Sequence, residues 1–132
     1  MMAVIEAFQT LFHDDKLNEL MNEIRGEVLD EQTIYQLEID EDYLKIEKVP
    51  LIRIEDIDSS GTFYSDDKRG AVDETVQIST MTVALEDLDK LLAVVDSAMN
   101  KIDFEQYKSK TYKEPDLGLM YNSRAYRRIN YL

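Results

Sequence analysis

The chain has 132 residues, 44% of them hydrophobic, which is enough for one packed core and too few for two. Its 28 acidic and 15 basic residues give a formal net charge of −13, which disfavours binding to nucleic acid or to an anionic membrane surface. The absence of cysteine excludes disulfide bonds and a thiolate metal site, and no apolar run approaches the length of a membrane span. We therefore expect a single domain over residues 1–132 that has no membrane partner.

Two short helices are predicted at the N-terminus. Apolar residues at helical spacing occupy one face over residues 5–12 and a different face over residues 17–24, rotated by roughly a third of a turn. Asp14 or Asp15 lies where a side chain can cap the second helix, and Gly26 lies where a glycine commonly ends one. We therefore expect a break between two helices rather than one straight helix.

Alternating apolar and polar residues then predict strands. Residues 35–39 and 44–46 alternate with period two, and the acidic residues 40–42 between them indicate a hairpin. A further strand is predicted after Pro50, at residues 51–54, since proline is tolerated at the start of a strand.

Residues 55–74 contain two glycines, seven acidic residues and little periodicity. Such a segment predicts a long exposed loop, which in a small domain is usually functional or disordered. Residues 56–67 also match the spacing of a calcium-binding loop, with oxygen-bearing side chains at positions 1, 3 and 5, glycine at 6 and a carboxylate at 12. No helix pattern follows this segment, and such matches arise easily among so many acids, so we favour a mobile acidic loop without a metal.

The remainder of the chain predicts one long helix among strands. Residues 75–85 are rich in β-branched residues, and residues 86–101 carry the strongest helical periodicity in the chain. Two strands follow near residues 107–113 and 119–128, joined by a turn that contains proline and glycine. The whole order predicts an α+β fold: a mostly antiparallel sheet with an N-terminal helical segment and the long helix, at about 86–101, packed on one face.

No arrangement typical of catalysis stands out in the sequence. The single histidine, His13, lies at the predicted helix break beside two aspartates, where capping or a salt link explains it. There is no glycine-rich phosphate loop, no nucleophile motif and no metal-ligand spacing built on histidine. We predict that the protein is not an enzyme and that it has no catalytic residues and no cofactor.

The charges are distributed unevenly along the chain. Residues 1–118 contain all 28 acids and sum to −16, whereas residues 119–132 have no acid, carry three arginines and sum to +3. An acidic body with a basic, aromatic-rich end suits complementary contact between protein surfaces. Alternatively, the arginines only neutralise the acidic body of the same molecule.

Alternation along the last predicted strand sorts its side chains between two faces. Arg124, Tyr126 and Arg128 fall on one face, and Tyr121 and Arg127 fall on the other. Guanidinium groups pair with carboxylates and stack on aromatic rings at protein contacts. We predict an interface formed by Arg124, Tyr126, Arg128 and Tyr121, with Arg124 and Arg128 as its contact pair.

Several segments occur in an order that is typical of one family. They are the N-terminal helix, PLIRI, the long loop, TVQISTMTVALED, DLDKLLAVVDSAMNKIDF and DLGLMYNSRAYRRI. The most specific points are the junction of strand and helix at residues 84–87 and the closing acidic turn followed by tyrosine and Arg-Ala-Tyr-Arg-Arg. In these features the chain resembles the small tail terminator (tail completion, or minor tail) proteins of long-tailed bacteriophages, although position 83 is valine where that family often has an aromatic residue.

The resemblance implies a structural protein of the virion, in its tail or neck, that is assembled in the host bacterial cytoplasm. A tail terminator caps the tail tube, stops its polymerisation and forms the head–tail joining interface as a homo-oligomeric ring, expected here to be a hexamer. Its partners are other copies of itself, the tail tube protein and the head connector or stopper protein, and DNA passes through without specific binding. The loop is then expected to contact a neighbour or line the channel through Asp56, Asp58, Phe63, Tyr64, Asp66 and Asp67.

Two alternatives remain open from the sequence. A head-completion or stopper protein of the neck would bind on the connector side instead of the tail side. A cytosolic acidic adaptor or inhibitor would bind a basic protein partner through its negative surface.

Overall fold

The computed structural model describes the backbone of residues 1–65 and 68–131, and the side chains of these residues except those at position 43 and in the range 58–69. Short 3₁₀ turns lie at Glu41–Tyr43 and Ile46–Lys48. The helices and strands are α1 (Ala3–Phe12), α2 (Asp15–Arg25), β1 (Ile34–Gln36), β2 (Leu51–Ser65), β3 (Lys68–Thr82), α3 (Leu85–Asn100), β4 (Glu105–Lys113) and β5 (Met120–Tyr131). No helix in this part of the chain is long and apolar enough to cross a membrane.

The strands form one sheet in the order β1-β2-β3-β5-β4. β1 runs parallel to β2, and the other neighbouring pairs are antiparallel. β3 and β4 therefore point the same way with β5 between them, and α3 makes the crossover that connects them. The predicted α+β fold with a mostly antiparallel sheet is confirmed, as are the long helix and the two final strands, within a few residues at their ends.

The main core lies between the helices and one face of the sheet. The side chains of this core follow the helical periodicity of the sequence in α1 and α3, and they are alternate residues in β2 and β3, namely Ile52, Ile54, Val76 and Ile78. Burial of each large apolar side chain contributes about 1.5–3 kcal/mol, so this layer supplies most of the driving force for folding. Its fully buried members include Ala7, Leu11, Leu17, Met21, Ile52, Ile54, Val76, Ile78, Leu91, Val95, Met99, Phe104 and Tyr126.

The predicted break between the two N-terminal helices is confirmed. The Asp14 side chain caps α2 by accepting a hydrogen bond from the Leu17 amide at 2.9 Å. The side-chain amide of Asn18 donates to the carbonyl oxygen atoms of Phe12 and Asp14, so it also stabilises the turn between α1 and α2. Gly26 ends α2 with φ of 77°, a left-handed conformation that glycine adopts without steric cost.

The predicted hairpin of residues 35–39 and 44–46 is wrong. Only Ile34–Gln36 is a strand, and it pairs in parallel with β2 rather than with residues 44–46. The Leu37 amide donates to the carbonyl oxygen of Ile54 at 2.8 Å, so β2 takes up the hydrogen bonds that a hairpin would have used. Alternation reports which side chains share a face, but it does not identify the pairing strand.

The predicted long loop at residues 55–74 is also wrong as secondary structure. β2 and β3 pair without interruption from Leu51↔Met81 to Ser65↔Lys68, except for a register shift between Asp56 and Asp58. Pairing of the two backbones satisfies their hydrogen bonds whatever the side chains, so strongly acidic segments can remain extended. A calcium loop would have to curl around its ion, which the extended backbone of residues 56–65 does not do; Asp66 and Asp67 lie outside the described residues.

We expect Asp14→Ala to lower the free energy of unfolding by about 1 kcal/mol, because the first turn of α2 loses its cap. Asp14→Asn is the matched control, since an asparagine oxygen accepts the same hydrogen bond. Urea unfolding followed by circular dichroism measures both. An equal loss in the two variants would mean that the cap is not what stabilises this turn.

Candidate assembly surfaces

The last strand, β5, occupies an interior position in the sheet, and this decides where its arginines point. It pairs with β3 from Thr82↔Met120 to Ala71↔Tyr131 and with β4 on its other side. The predicted alternation holds, because the side chains of Arg124, Tyr126 and Arg128 contact residues of the helices and of the core side. Tyr121 and Arg127 lie on the opposite face, which we call the outer face.

Arg128 is the most heavily engaged residue of this strand. Its guanidinium group donates to Glu6 of α1 at 2.6 Å, to Glu74 of β3 at 3.0 Å and to the carbonyl oxygen of Ile102 at 3.0 Å. It also stacks over the ring of Phe104, 4.3 Å from the centroid. Burial by itself would lower the pKa of Arg128, but the hydrogen bonds to Glu6 and Glu74 outweigh burial, so its pKa is raised and its charge is retained.

A second ion pair lies further along the same face. Arg124 donates to Asp96 of α3 at 2.6 Å, and the hydroxyl of Tyr126 donates to the other oxygen of the same carboxylate. Tyr126 is fully buried. Burial raises the pKa of its phenol, and the hydrogen bond to Asp96 raises it further. We call Glu6, Glu74, Asp96, Arg124, Tyr126 and Arg128 the inner network.

The three arginines of the C-terminal segment thus have carboxylate partners within the same chain, as the self-neutralisation alternative expects. Arg127 pairs with Asp73 on the outer face, with two contacts of 2.8 Å. The side chains of Arg124 and Arg128 are only 17% and 14% exposed. A subunit contact through Arg124, Tyr126 and Arg128 stays a prediction, and it would require these side chains to leave the partners they have here.

Tyr121 is held within a cluster on the outer face. Its ring stacks on Tyr112 of β4 at 4.9 Å between centroids, and its hydroxyl accepts a hydrogen bond from Arg53 at 2.9 Å. Arg53 also pairs with Glu55 at 3.0 Å. Beneath these polar groups lies a small second core formed by Val49, Leu51, Met81 and Leu119, with Tyr35, Ile39 and Leu117 packed against it.

Among the side chains that the structure describes, the exposed basic surface lies on β4, at one edge of the sheet, rather than on β5. All nine residues of Glu105–Lys113 are exposed, and they include three lysines and one glutamate, for a net charge of +2. Tyr107 and Tyr112 add exposed aromatic surface, 52% and 40% accessible. On its helix side, β4 borders an open, largely apolar groove of about 510 Å³ that is lined by Leu85, Leu88, Leu92 and Thr111 and by two acids, Glu86 and Asp89. We call this strand the basic edge.

The opposite edge of the sheet carries the opposite charge. Residues 27–49, which run from the end of α2 through β1 to the start of β2, contain eight acids and two lysines, for a net charge of −6. All eight acids are exposed: Glu27, Asp30, Glu31, Glu38, Asp40, Glu41, Asp42 and Glu47. A concavity of about 690 Å³ lies beside β1 and is lined by Tyr35, Glu38, Ile39, Asp40, Glu41 and Asp42. We call residues 27–49 the acidic edge.

The sequence did not predict either edge, because which strands lie at the edges depends on the order of strands in the sheet. The lysines of β4 are interspersed with tyrosine, serine and threonine, which is typical of an edge strand that is exposed on both faces. That signal was present, but only the order of strands shows that β4 and β1 are the two edges. The total charge of the chain also hides a local region of net +2 within a strongly acidic molecule.

The other predicted residues are distributed as follows. Asp56 is exposed on β2, while Asp58, Phe63 and Tyr64 lie in β2 with side chains outside the described set. His13 is exposed at the end of α1, and its ring meets the edge of Phe12 at 5.5 Å. Among the side chains that the structure describes, which leave out position 43 and residues 58–69, no three histidine, cysteine, aspartate or glutamate side chains are grouped as a metal ion would require.

Comparison with known proteins gives a likeness of fold. No protein-family model matches the chain, and no curated protein matches it. A chain in the solved structure of the virion of a native gene transfer agent particle is similar, with a TM-score of 0.72. The likeness covers 99% of this chain and 96% of that chain, at 14% sequence identity. The two proteins therefore share one fold over almost their whole lengths.

We expect Arg128→Ala to lower the free energy of unfolding by about 2–4 kcal/mol, because Glu6 and Glu74 would be left as partly buried carboxylates without a cation. Arg127→Ala removes an arginine of the same strand whose side chain is 53% exposed, and it should leave the urea midpoint close to wild type. Similar losses in both variants would argue that the inner network is no more important than a surface ion pair.

The raised pKa of Tyr126 predicts a loss of stability at alkaline pH. Above about pH 10 the unfolded chain ionises this phenol while the folded chain keeps it neutral, so the unfolded state binds fewer protons and stability falls as pH rises. One such group contributes a slope of up to about 1.4 kcal/mol per pH unit. Urea unfolding from pH 8 to 11 should show a shallower decline for Tyr126→Phe than for wild type, whereas Tyr107→Phe, which removes an exposed phenol, should keep the wild-type decline. Equal slopes in all three proteins would contradict the assignment.

Proposed function

We propose that this protein is a structural component of a virion. The observation that carries the proposal is the shared fold, end to end, with a chain of a gene transfer agent virion. Almost complete coverage of both chains supports a whole-protein correspondence rather than the reuse of one motif. The order of sequence features that resembles the tail terminator proteins is an independent line of support for the same class.

More specifically, we propose that the protein caps the tail tube, stops its polymerisation and joins tail to head as a homo-oligomeric ring, with a hexamer as the expected form. The acidic body supports this role, because a net charge of −13 repels a DNA duplex that passes through a channel. The expected partners are the tail tube protein and the head connector or stopper protein. The role is non-enzymatic, and the most deeply buried ionic groups act in holding the fold together.

The hairpin of β2 and β3 supports a role in assembly through its length. β3 pairs with β5 only as far as Ala71↔Tyr131, whereas β2 and β3 continue to Ser65↔Lys68. The last part of the hairpin therefore extends past the described end of β5, and Asp56 faces solvent nearer its base. We propose that this extension contacts a neighbouring subunit or a partner in the tail or neck, in place of the loop expected from the sequence.

Deletion of the gene from the virus or particle-producing element that encodes it tests the proposal. We expect tails of irregular, extended length and heads without joined tails, because nothing would stop tube polymerisation or complete the joint. Electron microscopy of lysates gives the tail-length distribution, and complementation with the wild-type gene is the control. Tails of normal length with empty, unjoined heads would instead favour a stopper on the connector side, and particles of normal form would contradict any structural role.

A further inference from the structure

We propose that the basic edge, β4, docks against the acidic edge, residues 27–49, of a second copy of the same chain. Each molecule then offers one edge of its sheet to each of two neighbours. This inference rests on the proposed function only in supposing that copies associate at all. It goes beyond that proposal by identifying the two surfaces that meet and by predicting a head-to-tail contact.

β4 is an open edge of the sheet. It pairs with β5 on one side only, so backbone N–H and C=O groups along its other side point away from the sheet. All nine of its side chains are exposed, and two of them are tyrosines, a residue enriched in protein interfaces. Lysines such as Lys108, Lys110 and Lys113 protect exposed edges from nonspecific pairing, so openness by itself does not identify a partner.

The charge of the opposite edge is complementary to that of β4. The acidic edge has a net charge of −6 and a concavity of about 690 Å³ bordered by four of its acids, whereas β4 has a net charge of +2. Two β4 strands facing each other would bring like charges together, and so would two acidic edges. Opposite charges come into contact only when unlike edges pair. This favours a head-to-tail contact between two copies over a twofold dimer, in which like edges would meet.

Both edges also expose apolar side chains among their charges. The acidic edge exposes Val28, Leu37, Leu44 and Ile46, and the basic edge exposes Tyr107 and Tyr112 beside the groove lined by Leu85. Apolar side chains that are removed from water at the contact favour association, and the surrounding charges determine the orientation of the two copies and the choice of partner. Because the two surfaces lie at opposite edges of one sheet, repetition of the contact adds copies in one direction and closes into a ring if the rotation per copy allows.

Chemical crosslinking tests the contact directly, since the chain has no native cysteine to interfere. A double variant, Lys110→Cys with Asp40→Cys, treated with a short bifunctional thiol reagent at low salt, should give a ladder of dimers, trimers and larger species. Each single variant should give none, because a cysteine on one edge meets no cysteine on the other. Dimers from Lys110→Cys alone would show β4 meeting β4 and would overturn the proposal. The absence of a ladder both in solution and in isolated particles would also overturn it.

Charge reversal gives a second, independent test. Lys108→Glu with Lys110→Glu changes the net charge of the basic edge from +2 to −2. Reversing the four acids that line the concavity changes the net charge of the acidic edge from −6 to +2: Glu38→Lys, Asp40→Lys, Glu41→Lys and Asp42→Lys. Each of these two variants by itself should weaken self-association roughly tenfold or more, because like charges would then face each other. An equimolar mixture of the two variants should recover association, since each altered edge meets its complement on the other protein. Sedimentation velocity over a range of concentrations measures all of these. Failure of the mixture to recover would overturn the proposal.

The controls reverse charges on helices α2 and α3, which belong to neither edge. Lys16→Glu with Lys90→Glu, and Glu19→Lys with Glu23→Lys, alter exposed residues of these helices and should associate as wild type does. If the crosslinking ladder forms in solution but the protein is absent from the virion, the edge contact exists and the proposed function fails. If the protein lies at the tail end of the particle but its double cysteine variant gives no ladder there, the proposed function stands and the edge contact fails.

Discussion

The ionic contact of Arg128 with Glu6 and Glu74 is the constraint on which much of the arrangement depends. It joins residues separated by 122 and 54 positions in sequence, and so fixes α1 and β3 relative to β5. A guanidinium group that is only 14% exposed is costly to leave unpaired, so every arrangement that buries β5 must also bring carboxylates to it. Phe104 below the guanidinium and the Ile102 carbonyl beside it extend the same constraint to the segment after α3.

This network also changes which surface is available for assembly. By sequence, the positive C-terminal segment looks like a contact surface. In the structure, its arginines form ion pairs within the molecule, largely with Glu6, Glu74 and Asp96. Among the described side chains, the positive charge that reaches solvent along a continuous strand belongs to β4, which lies at the edge because β5 occupies the interior position. The interior strand therefore holds the fold together, and its neighbour is left exposed with three lysines and two tyrosines.

The two edges of the sheet differ in more than charge. The acidic edge is built from a three-residue strand and two short 3₁₀ turns, with Arg25 anchoring it by a hydrogen bond of 3.0 Å to the carbonyl oxygen of Pro50. The basic edge is a nine-residue strand that is exposed throughout. A short, irregular edge offers few backbone groups for pairing, so its recognition depends on side chains and on the shape of its concavity. A head-to-tail contact between such edges is consistent with a closed ring and needs no symmetry within either surface.

The sequence by itself determined the features that depend on neighbouring residues: the break and cap at Asp14, the glycine at the end of α2, the long helix, and the sorting of Arg124 and Arg128 to one face of β5. These follow from helical and strand periods, which act over a few residues. Tertiary structure alone decided that residues 55–65 and 68–74 are paired strands, that residues 44–46 are not, and that β1 and β4 are the edges. It also decided the partners of the arginines. The physical reason is that backbone pairing and ion pairing join residues far apart in the chain, and an alternating pattern specifies a face without specifying what lies against it.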